Sequence, residues 1–302
     1  MVVSLTATNG LAADRDVSLI DAQPSLLETF LKVDERLGIS ASPEDARAGV
    51  RRYARRLESC RSLPVDSLER TECVIDTFFA SGVGVVSAQA SSPIESTVSN
   101  VLVHGKGTCA ALVAAALVVA DEFESSLRAV VLRDHVVLAS MQDPTRFYEA
   151  VEGGRRITEA ELLARRRSMP TRMSAIGGRA YVPYYLDNIA ARLAKAGDTA
   201  GAGKAFQLAL EGDRDTPRVL YNYGTFLLES GRSKQALNHL DRAIRRGWRD
   251  ADAYVNRGAA HWKLGNLRAA RRDFKRALKI DPSNQAAERN LRKIRQVRRE
   301  AD

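Results

Sequence analysis

The stretch PRVLYNYGTFLLESGRSKQALNHLDRAIRRGWRD, residues 217–250, decides the fold of the C-terminal third, because its pattern recurs without a gap in ADAYVNRGAAHWKLGNLRAARRDFKRALKIDPSN, residues 251–284. The 34 residues before it, 183–216, carry the same pattern. The recurring columns are position 8 (Ala190, Gly224, Gly258), position 15 (Gly197, Gly231, Gly265), position 20 (Ala202, Ala236, Ala270), position 24 (Phe206, Leu240, Phe274) and position 27 (Ala209, Ala243, Ala277). A period of this length indicates a repeat protein, in which each unit buries its apolar face by stacking on its neighbours.

The spacing of small and large residues in these units has a mechanical reason. Residues without bulk at positions 8, 20 and 27 allow two antiparallel helices to approach closely, and the large residue at position 24 fills the space between them. The glycine at position 15 forms the turn that links the two helices. The pattern resembles the tetratricopeptide repeat. Arg257 and His261 depart from it at positions 7 and 11, where the other units hold Ile189, Tyr223, Leu193 and Leu227, and we interpret this departure as contact with a polar cap.

A capping helix is expected after the third unit, because stacked repeats need a polar outer face at the end of the array. Residues 285–300 supply it, with Ala287, Leu291 and Ile294 at helical spacing. The sequence therefore predicts an all-α solenoid over 183–302, built from units 183–216, 217–250 and 251–284 and the cap.

Position 6 of the units forms a ladder of asparagines: Asn188, Asn222 and Asn256. An asparagine side chain carries both a donor and an acceptor, so it can hold a peptide backbone without demanding a sequence. The repeat resemblance implies that these residues bind an extended peptide or protein on the inner face of the first helices. The alternative is that they are solvated residues of that face.

The first 180 residues have a different texture. Residues 1–22 lack periodicity and predict a loose lead, and 82–98 predict a loop. Helices are expected at 24–38, 43–57 and 68–79, and short strands at 127–132, 135–140 and 146–151.

The segment Ser99–Cys109, SNVLVHGKGTC, leads into an apolar helix over 110–120. Thr108 is a suitable N-cap, so Cys109 falls in the first turn, where the helix dipole favours a thiolate. His135 begins the second predicted strand and Glu149 lies in the third. Adjacent strands would bring His135 to Cys109 and allow Glu149 to hold the far ring nitrogen, as nucleophile, base and orienting acid.

This arrangement resembles the transglutaminase-like, papain-like cysteine fold. It is most similar to bacterial transglutaminase-like proteins with C-terminal tetratricopeptide repeats, through Asn100-Val-Leu, Asp134-His135 and the run YEAVEGG at 148–154 followed by a helix at 159–167. The resemblance implies Cys109 as nucleophile, His135 as general base and Glu149 as orienting acid, in a domain over 23–180. Asp143 is a second-ranked acid, because Asp143-Pro144 predicts a turn. Asn100 is a candidate oxyanion donor, and the backbone N–H of Cys109 is another.

Composition restricts the classes of protein and of partner. The longest apolar run has 12 residues, fewer than the roughly 20 that a membrane-spanning helix needs. Residues 1–16 lack the pattern of a secretory signal, so we expect a cytoplasmic protein. The net charge is +9, yet only 6% of residues are aromatic and no nucleic-acid motif is recognised, which argues against nucleic-acid binding. A basic RNA-associated repeat protein stays as a third hypothesis.

The three cysteines suggest neither a disulfide framework nor a metal site. Cys60, Cys73 and Cys109 form no C-x-x-C pair and no zinc spacing with histidine. We therefore expect Cys60 and Cys73 to fill apolar space in or beside helices, and we expect no metal and no cofactor.

The sequence thus predicts an α+β domain followed by an all-α solenoid. The predicted function is cysteine-dependent acyl transfer or amide hydrolysis through a thioester, on a peptide or protein that the repeats present. The alternative is a non-catalytic adaptor, in which the repeats bind a protein partner and the first domain is a scaffold.

Overall fold

The computed structural model describes residues 6–7, 24–39, 42–85, 93–132, 135–164 and 174–301. The chain divides into two compact units, Met1–Gly201 (unit 1) and Ala202–Asp302 (unit 2). The boundary falls inside the first repeat, 183–216, whose first helix therefore belongs to unit 1.

Unit 1 is a mixture of helices and short strands. Its helices are α1 (Leu26–Leu37), α2 (Pro43–Arg56), α3 (Leu68–Ala80), α4 (Val98–His104), α5 (Cys109–Glu122), α6 (Glu159–Ala164) and α7 (Val182–Lys195). Its strands are β1 (Thr6–Ala7), β2 (Gly84–Val85), β3 (Lys106–Gly107), β4 (Leu127–Val131), β5 (Val136–Ser140), β6 (Phe147–Glu149), β7 (Arg155–Ile157) and β8 (Ser174–Ile176). The α+β character expected of this region is present. The helices and strands predicted from the sequence are found near 24–38, 43–57, 68–79, 127–132, 135–140 and 146–151.

The larger sheet has the strand order β1-β8-β4-β5-β6-β7. Strands β4 to β7 form an antiparallel meander, in which Val131 pairs with Val136 and Leu138 with Tyr148. Strands β2 and β3 pair in parallel as a separate ribbon. The meander places the start of β5 and the end of β6 on neighbouring strands.

Helix α5 forms the centre of unit 1. Every residue from Ala110 to Ala120 is buried, which explains why this helix is apolar on all sides rather than amphipathic. It contacts α2, α3, α4, α7 and strands β4 and β5. A fully enclosed helix fixes the position of its first residue, Cys109, within the unit.

A buried carboxyl group joins three helices of unit 1. Asp34 of α1 is fully buried and accepts hydrogen bonds from Tyr185 Oη of α7 (2.6 Å) and Ser99 Oγ of α4 (3.2 Å). Tyr185 Oη also accepts from the backbone N–H of Val98 (2.9 Å). Burial raises the pKa of Asp34 to about 7, against the lowering effect of these hydrogen bonds. Helix α7, the first helix of the repeat array, is thus joined to α1 and α4 within unit 1 through Tyr185.

Unit 2 is all-α. Its helices are α8 (Thr199–Gly212, which begins before the boundary), α9 (Pro217–Glu229), α10 (Ser233–Arg245), α11 (Ala251–Lys263), α12 (Leu267–Ile280) and α13 (Gln285–Ala301). A Cβ on Gly224 would lie 2.8 Å from Leu240 Cγ, and one on Gly258 would lie 2.7 Å from Phe274 Cε1. The close approach predicted between positions 8 and 24 is therefore confirmed for these two units. Gly231 and Gly265 adopt positive φ in the turns between helices, as expected for position 15.

Arg257 departs from the repeat pattern for a reason that differs from the one predicted. It binds Asp273 of α12 through two hydrogen bonds (2.8 and 2.6 Å) and Asp241 of α10 through one (2.8 Å). These contacts raise the pKa of the guanidinium further above its usual range. Arg257 therefore connects α10, α11 and α12 inside unit 2, whereas the sequence predicted a contact with the capping helix.

Two expectations for unit 1 are corrected by the structure. The predicted loop 82–98 contains β2, a turn of 3-10 helix at Pro93–Ser96 and the start of α4, because Thr97 caps that helix by accepting from Asn100 N; residues 86–92 lie outside the described residues. In the predicted lead 1–22, Thr6–Ala7 pairs with β8 as β1, and residues 1–5 and 8–22 lie outside the described part. Asp134 and residues 165–167 of the helix predicted at 159–167 also lie outside it.

Cys60 and Cys73 form a disulfide, contrary to the expectation of two unpaired fillers. They are brought together because the 3-10 turn Glu58–Ser62 packs against α3. Disulfides form in oxidising compartments and are rare in the cytoplasm, so this bond argues against the predicted cytoplasmic location, which remains a prediction. Among the described residues, no helix has the length and apolarity needed to cross a membrane.

Unit 1 should lose stability as pH rises between about 4 and 7, because folded Asp34 keeps its proton up to a pKa of about 7 whereas an unfolded aspartate loses it near pH 4. We expect Asp34→Asn to remove this slope, which amounts to about 2 kcal/mol between pH 5 and 7. Hydrogen–deuterium exchange of α1 and α4 peptides, measured at several pH values and corrected for the intrinsic rate, checks this. An equal slope in both proteins would contradict it.

Arg257→Leu should destabilise unit 2 by about 3 kcal/mol, because it leaves the buried carboxylate of Asp273 without its cation. Unfolding in urea followed by tryptophan fluorescence reports this unit, since Trp248 and Trp262 both lie in it. Arg245→Gln, at an exposed arginine of α10, is the matched control and should change stability by less than about 0.5 kcal/mol. Equal unfolding curves for wild type and Arg257→Leu would refute the assignment.

Candidate functional site

The start of α5 is held in place by the side chain of Thr108 and by α4. Thr108 caps the helix, with Oγ1 accepting from Ala111 N at 3.3 Å, as expected. A Cβ on Gly107 would lie 2.3 Å from Val101 Cγ2, so a larger residue does not fit in this approach to the helix. Cys109 is consequently the first residue of α5, and its side chain is partly exposed.

The structure brings together the three residues for which catalysis was predicted. Cys109 Sγ lies 3.7 Å from His135 Nδ1, and His135 Nε2 lies 2.8 Å from Glu149 Oε2. His135 immediately precedes β5 and Glu149 ends β6, so the meander supplies both side chains from neighbouring strands. We call these three residues the thiol–imidazole–carboxylate cluster.

The electrostatics of the cluster centre on the imidazole. Hydrogen bonds to Cys109 and then to Glu149 raise the pKa of His135 to about 10, against the lowering effect of burial. Glu149 is fully buried, and its second oxygen accepts from Val151 N at 3.3 Å. A cationic ring beside this carboxylate compensates the cost of burying its charge. Cys109 Sγ also lies 3.3 Å from the Val136 carbonyl, to which a protonated thiol donates.

Two further candidates are occupied elsewhere. The side-chain amide of Asn100, the predicted oxyanion donor, donates to Lys106 O at 2.6 Å and so holds the turn before α5. Asp143, the second-ranked acid, accepts from Thr145 and pairs with Arg146, as expected of a turn residue. Glu149, rather than Asp143, is therefore the acid beside His135.

The asparagine ladder is divided between the two units. Asn188 lies on α7, and its Oδ1 is buried without a hydrogen-bond partner among the described residues. Asn222 lies half-buried on α9. Asn256 on α11 donates to Tyr221 Oη (3.3 Å) and Thr225 Oγ1 (2.9 Å) of α9, so its amide group bridges two repeats.

Sequence reasoning missed the partners of Asn256. Tyr221 and Thr225 stand at positions 5 and 9, one residue before and three after Asn222 on the same helix, and this spacing was the available signal. Tyr221 also stacks on Trp248, with ring centroids 5.3 Å apart. We call Tyr221, Asn222, Thr225 and Asn256 the α9–α11 face.

The C-terminal region carries tetratricopeptide repeats. Family models described as tetratricopeptide repeat match residues 193–255 and 251–284. The prediction of this repeat in the C-terminal region is confirmed. These two matches do not extend to the transglutaminase-like resemblance inferred for residues 99–167.

Curated relatives match over a similar length. DnaJ homolog subfamily C member 3 of Rattus norvegicus is 38% identical over 92 residues, which is 30% of this chain and 18% of the relative. The Homo sapiens protein of that name is 37% identical over 92 residues. FK506-binding protein-like of Mus musculus is 31% identical over 110 residues, covering 34% of this chain and 32% of the relative. This chain thus spans under a fifth of the former relatives and about a third of the latter.

Solved structures share only a limited likeness. The first tetratricopeptide domain of Spaghetti (RPAP3), bound to an HSP90 peptide, is 24% identical and covers 39% of this chain and 94% of its own, with a TM-score of 0.38. The crystal structure of MamA is 18% identical, covers 38% of this chain and 68% of its own, and has a TM-score of 0.37.

The prediction of an enzyme is wrong. The findings that overturn it are the matches to tetratricopeptide repeat models and to DnaJ homolog subfamily C member 3, which point to a repeat-containing binding protein. Proximity of a thiol, an imidazole and a carboxylate also has a structural reading here, because the cluster joins the start of α5 to β5 and β6, and the buried Glu149 requires a cationic partner. Among the described residues, no group of three or more His, Cys, Asp and Glu is arranged to hold a metal ion.

The imidazole should nevertheless control the reactivity of Cys109, because its Nδ1 contacts Sγ at 3.7 Å and the reactivity of a cysteine depends on the charged groups next to it. We expect His135→Gln to slow alkylation of Cys109 by iodoacetamide at pH 7 about tenfold. Peptide mass spectrometry under non-reducing conditions follows the reaction and should show Cys60 and Cys73 unlabelled. His104→Gln, at an exposed histidine of α4, is the control; equal rates in wild type and His135→Gln would contradict the contact.

Proposed function

We propose that this protein is a non-catalytic tetratricopeptide adaptor that binds an extended segment of a partner protein. The observation that carries the proposal is the repeat match over residues 193–284. Relatives that are 37–38% identical over 92 residues add to it. Stacked repeats of this kind present a continuous surface built from the first helix of each unit. Binding therefore belongs to the helices rather than to a pocket with reactive groups.

The α9–α11 face has the chemistry that such binding needs. Its side chains are half-buried, so they are partly accessible and partly fixed by their neighbours. The bridge from Asn256 to Tyr221 and Thr225 orders the two helices before any partner arrives, which lowers the conformational cost of binding. Asn222 offers both a donor and an acceptor on the same side of α9. In this proposal Asn222 contacts the partner, and Asn256 mainly positions the face.

Asn188, the first residue of the ladder, lies on α7 in unit 1, which this proposal takes as a scaffold. Its Oδ1 is buried and has no hydrogen-bond partner among the described residues, so it is not exposed to a bound peptide, and the proposal rests on Asn222 and Asn256. In the thiol–imidazole–carboxylate cluster, Cys109 begins α5, His135 immediately precedes β5, and Glu149 ends the neighbouring strand β6. This placement supports a transglutaminase-like arrangement for unit 1 as part of such a scaffold.

A random 12-residue peptide library displayed on phage and panned on the full chain tests the proposal. Enriched peptides, resynthesised and titrated by calorimetry, should bind wild type and lose at least fivefold in affinity with Asn222→Ala, because a buried hydrogen bond contributes about 1 kcal/mol or more. Asn238→Ala, at an exposed asparagine of α10, is the matched control and should not change the affinity.

The result that would overturn the proposal is a library without enriched peptides, or peptides whose affinity is equal for wild type and Asn222→Ala. Enrichment that depends on Cys109 instead would place binding in unit 1.

A further inference from the structure

The net positive charge of the protein lies entirely in unit 2. Residues 202–302 contain 23 Lys and Arg against 12 Asp and Glu, whereas residues 1–201 contain 23 against 25. A charge of this size on one unit raises the local concentration of anionic partners and accelerates their association. The distribution of these cations on the surface of unit 2 therefore bears on what the unit binds.

A groove of about 520 Å³ lies between α12 and α13. Its lining consists of Leu267, Arg268, Arg271, Arg272, Lys275 and Ile294. The four cations are spaced by three and four residues along one side of α12, and all four are exposed. Ile294 of α13 is buried and Leu267 is half-buried, so the cations surround an apolar floor. We call this feature the α12–α13 groove.

The cations of the groove have no carboxylate partner among the described residues, unlike other arginines of the unit. Arg242 and Arg246 bind Asp215, and Arg257 binds Asp241 and Asp273. No such ion pair involves Arg268, Arg271, Arg272 or Lys275. Four neighbouring like charges repel one another, and an anionic ligand would relieve that repulsion.

The lining selects among anionic partners. An apolar floor suits a ligand that carries apolar side chains between its carboxylates, which an acidic protein segment does and a phosphate backbone does not. Single-stranded nucleic acids are bound by stacking of bases on aromatic side chains, and none of the six lining residues is aromatic. Arginine also pairs with carboxylates through two parallel hydrogen bonds.

We propose that the α12–α13 groove binds an acidic segment of a partner protein, with carboxylates on the cations of α12 and a leucine-type side chain on the floor. This surface lies on different side chains from the α9–α11 face. It would give the adaptor a second, charge-selective contact, whether or not the first face binds a peptide. Two contacts on one partner increase the overall affinity through the effective concentration of the second.

Fluorescence polarisation of the labelled peptide DELDDLEE on the full chain tests the groove. The triple substitution Arg268→Gln, Arg271→Gln and Arg272→Gln should weaken binding at least tenfold at about 0.1 M salt, because three charge-assisted contacts are lost. The control removes three exposed cations elsewhere in unit 2, with Lys204→Gln, Lys234→Gln and Arg245→Gln, and should weaken binding less than twofold. All six positions are exposed, so both variants should keep the wild-type unfolding curve.

Two further probes decide the class of ligand. The peptide DEGDDGEE, which keeps the charge and lacks leucine, should bind at least fivefold more weakly than DELDDLEE. The proposal is overturned if DELDDLEE does not bind, if the control variant loses as much affinity as the groove variant, or if the two peptides bind equally. If a 20-nucleotide oligo-uridylate binds more tightly than DELDDLEE and this binding depends on the same three arginines, the proposal is overturned in favour of a nucleic-acid site.

Discussion

The close approach of paired helices is the constraint on which the C-terminal unit depends. Gly224 leaves room for Leu240, and Gly258 for Phe274, so the large side chain of one helix packs directly on the glycine of the other. Because that contact recurs after 34 residues, the first helices of the second and third repeats, α9 and α11, lie side by side. The bridge from Asn256 to α9 then joins two repeats into one face. A binding surface thus follows from a packing requirement.

The repeat architecture could be predicted from the sequence because its signal is redundant. Five columns recur in three units, and each column has a steric reason: a small residue where two helices approach, a large residue that fills the space between them, or a glycine in the turn. Arg257 shows the limit of such reasoning. A charged residue at an apolar position gives no indication of its partners, and Asp241 and Asp273 lie 16 residues away on either side, on helices that only the fold brings together.

The cluster in unit 1 shows a different limit. The order of Cys109, His135 and Glu149 on a helix start and two strands was sufficient to predict their proximity, because a meander places consecutive strands side by side. It was not sufficient to predict chemistry. The amide of Asn100 is engaged by a backbone carbonyl, and the same contacts that would orient a catalyst also stabilise a buried carboxylate. The disulfide between Cys60 and Cys73 escaped prediction because their spacing matches no motif, and only the packing of a 3-10 turn on α3 brings them together.

The central claim is that this protein works by binding through its repeats. Hydrogen–deuterium exchange of the full chain, with and without a saturating library-selected peptide, tests that claim most directly. The account predicts slower exchange in α9 and α11, residues 217–263, with the peptides around Cys109 and His135 unchanged. Protection confined to residues 105–150, with α9 and α11 unchanged, would contradict it.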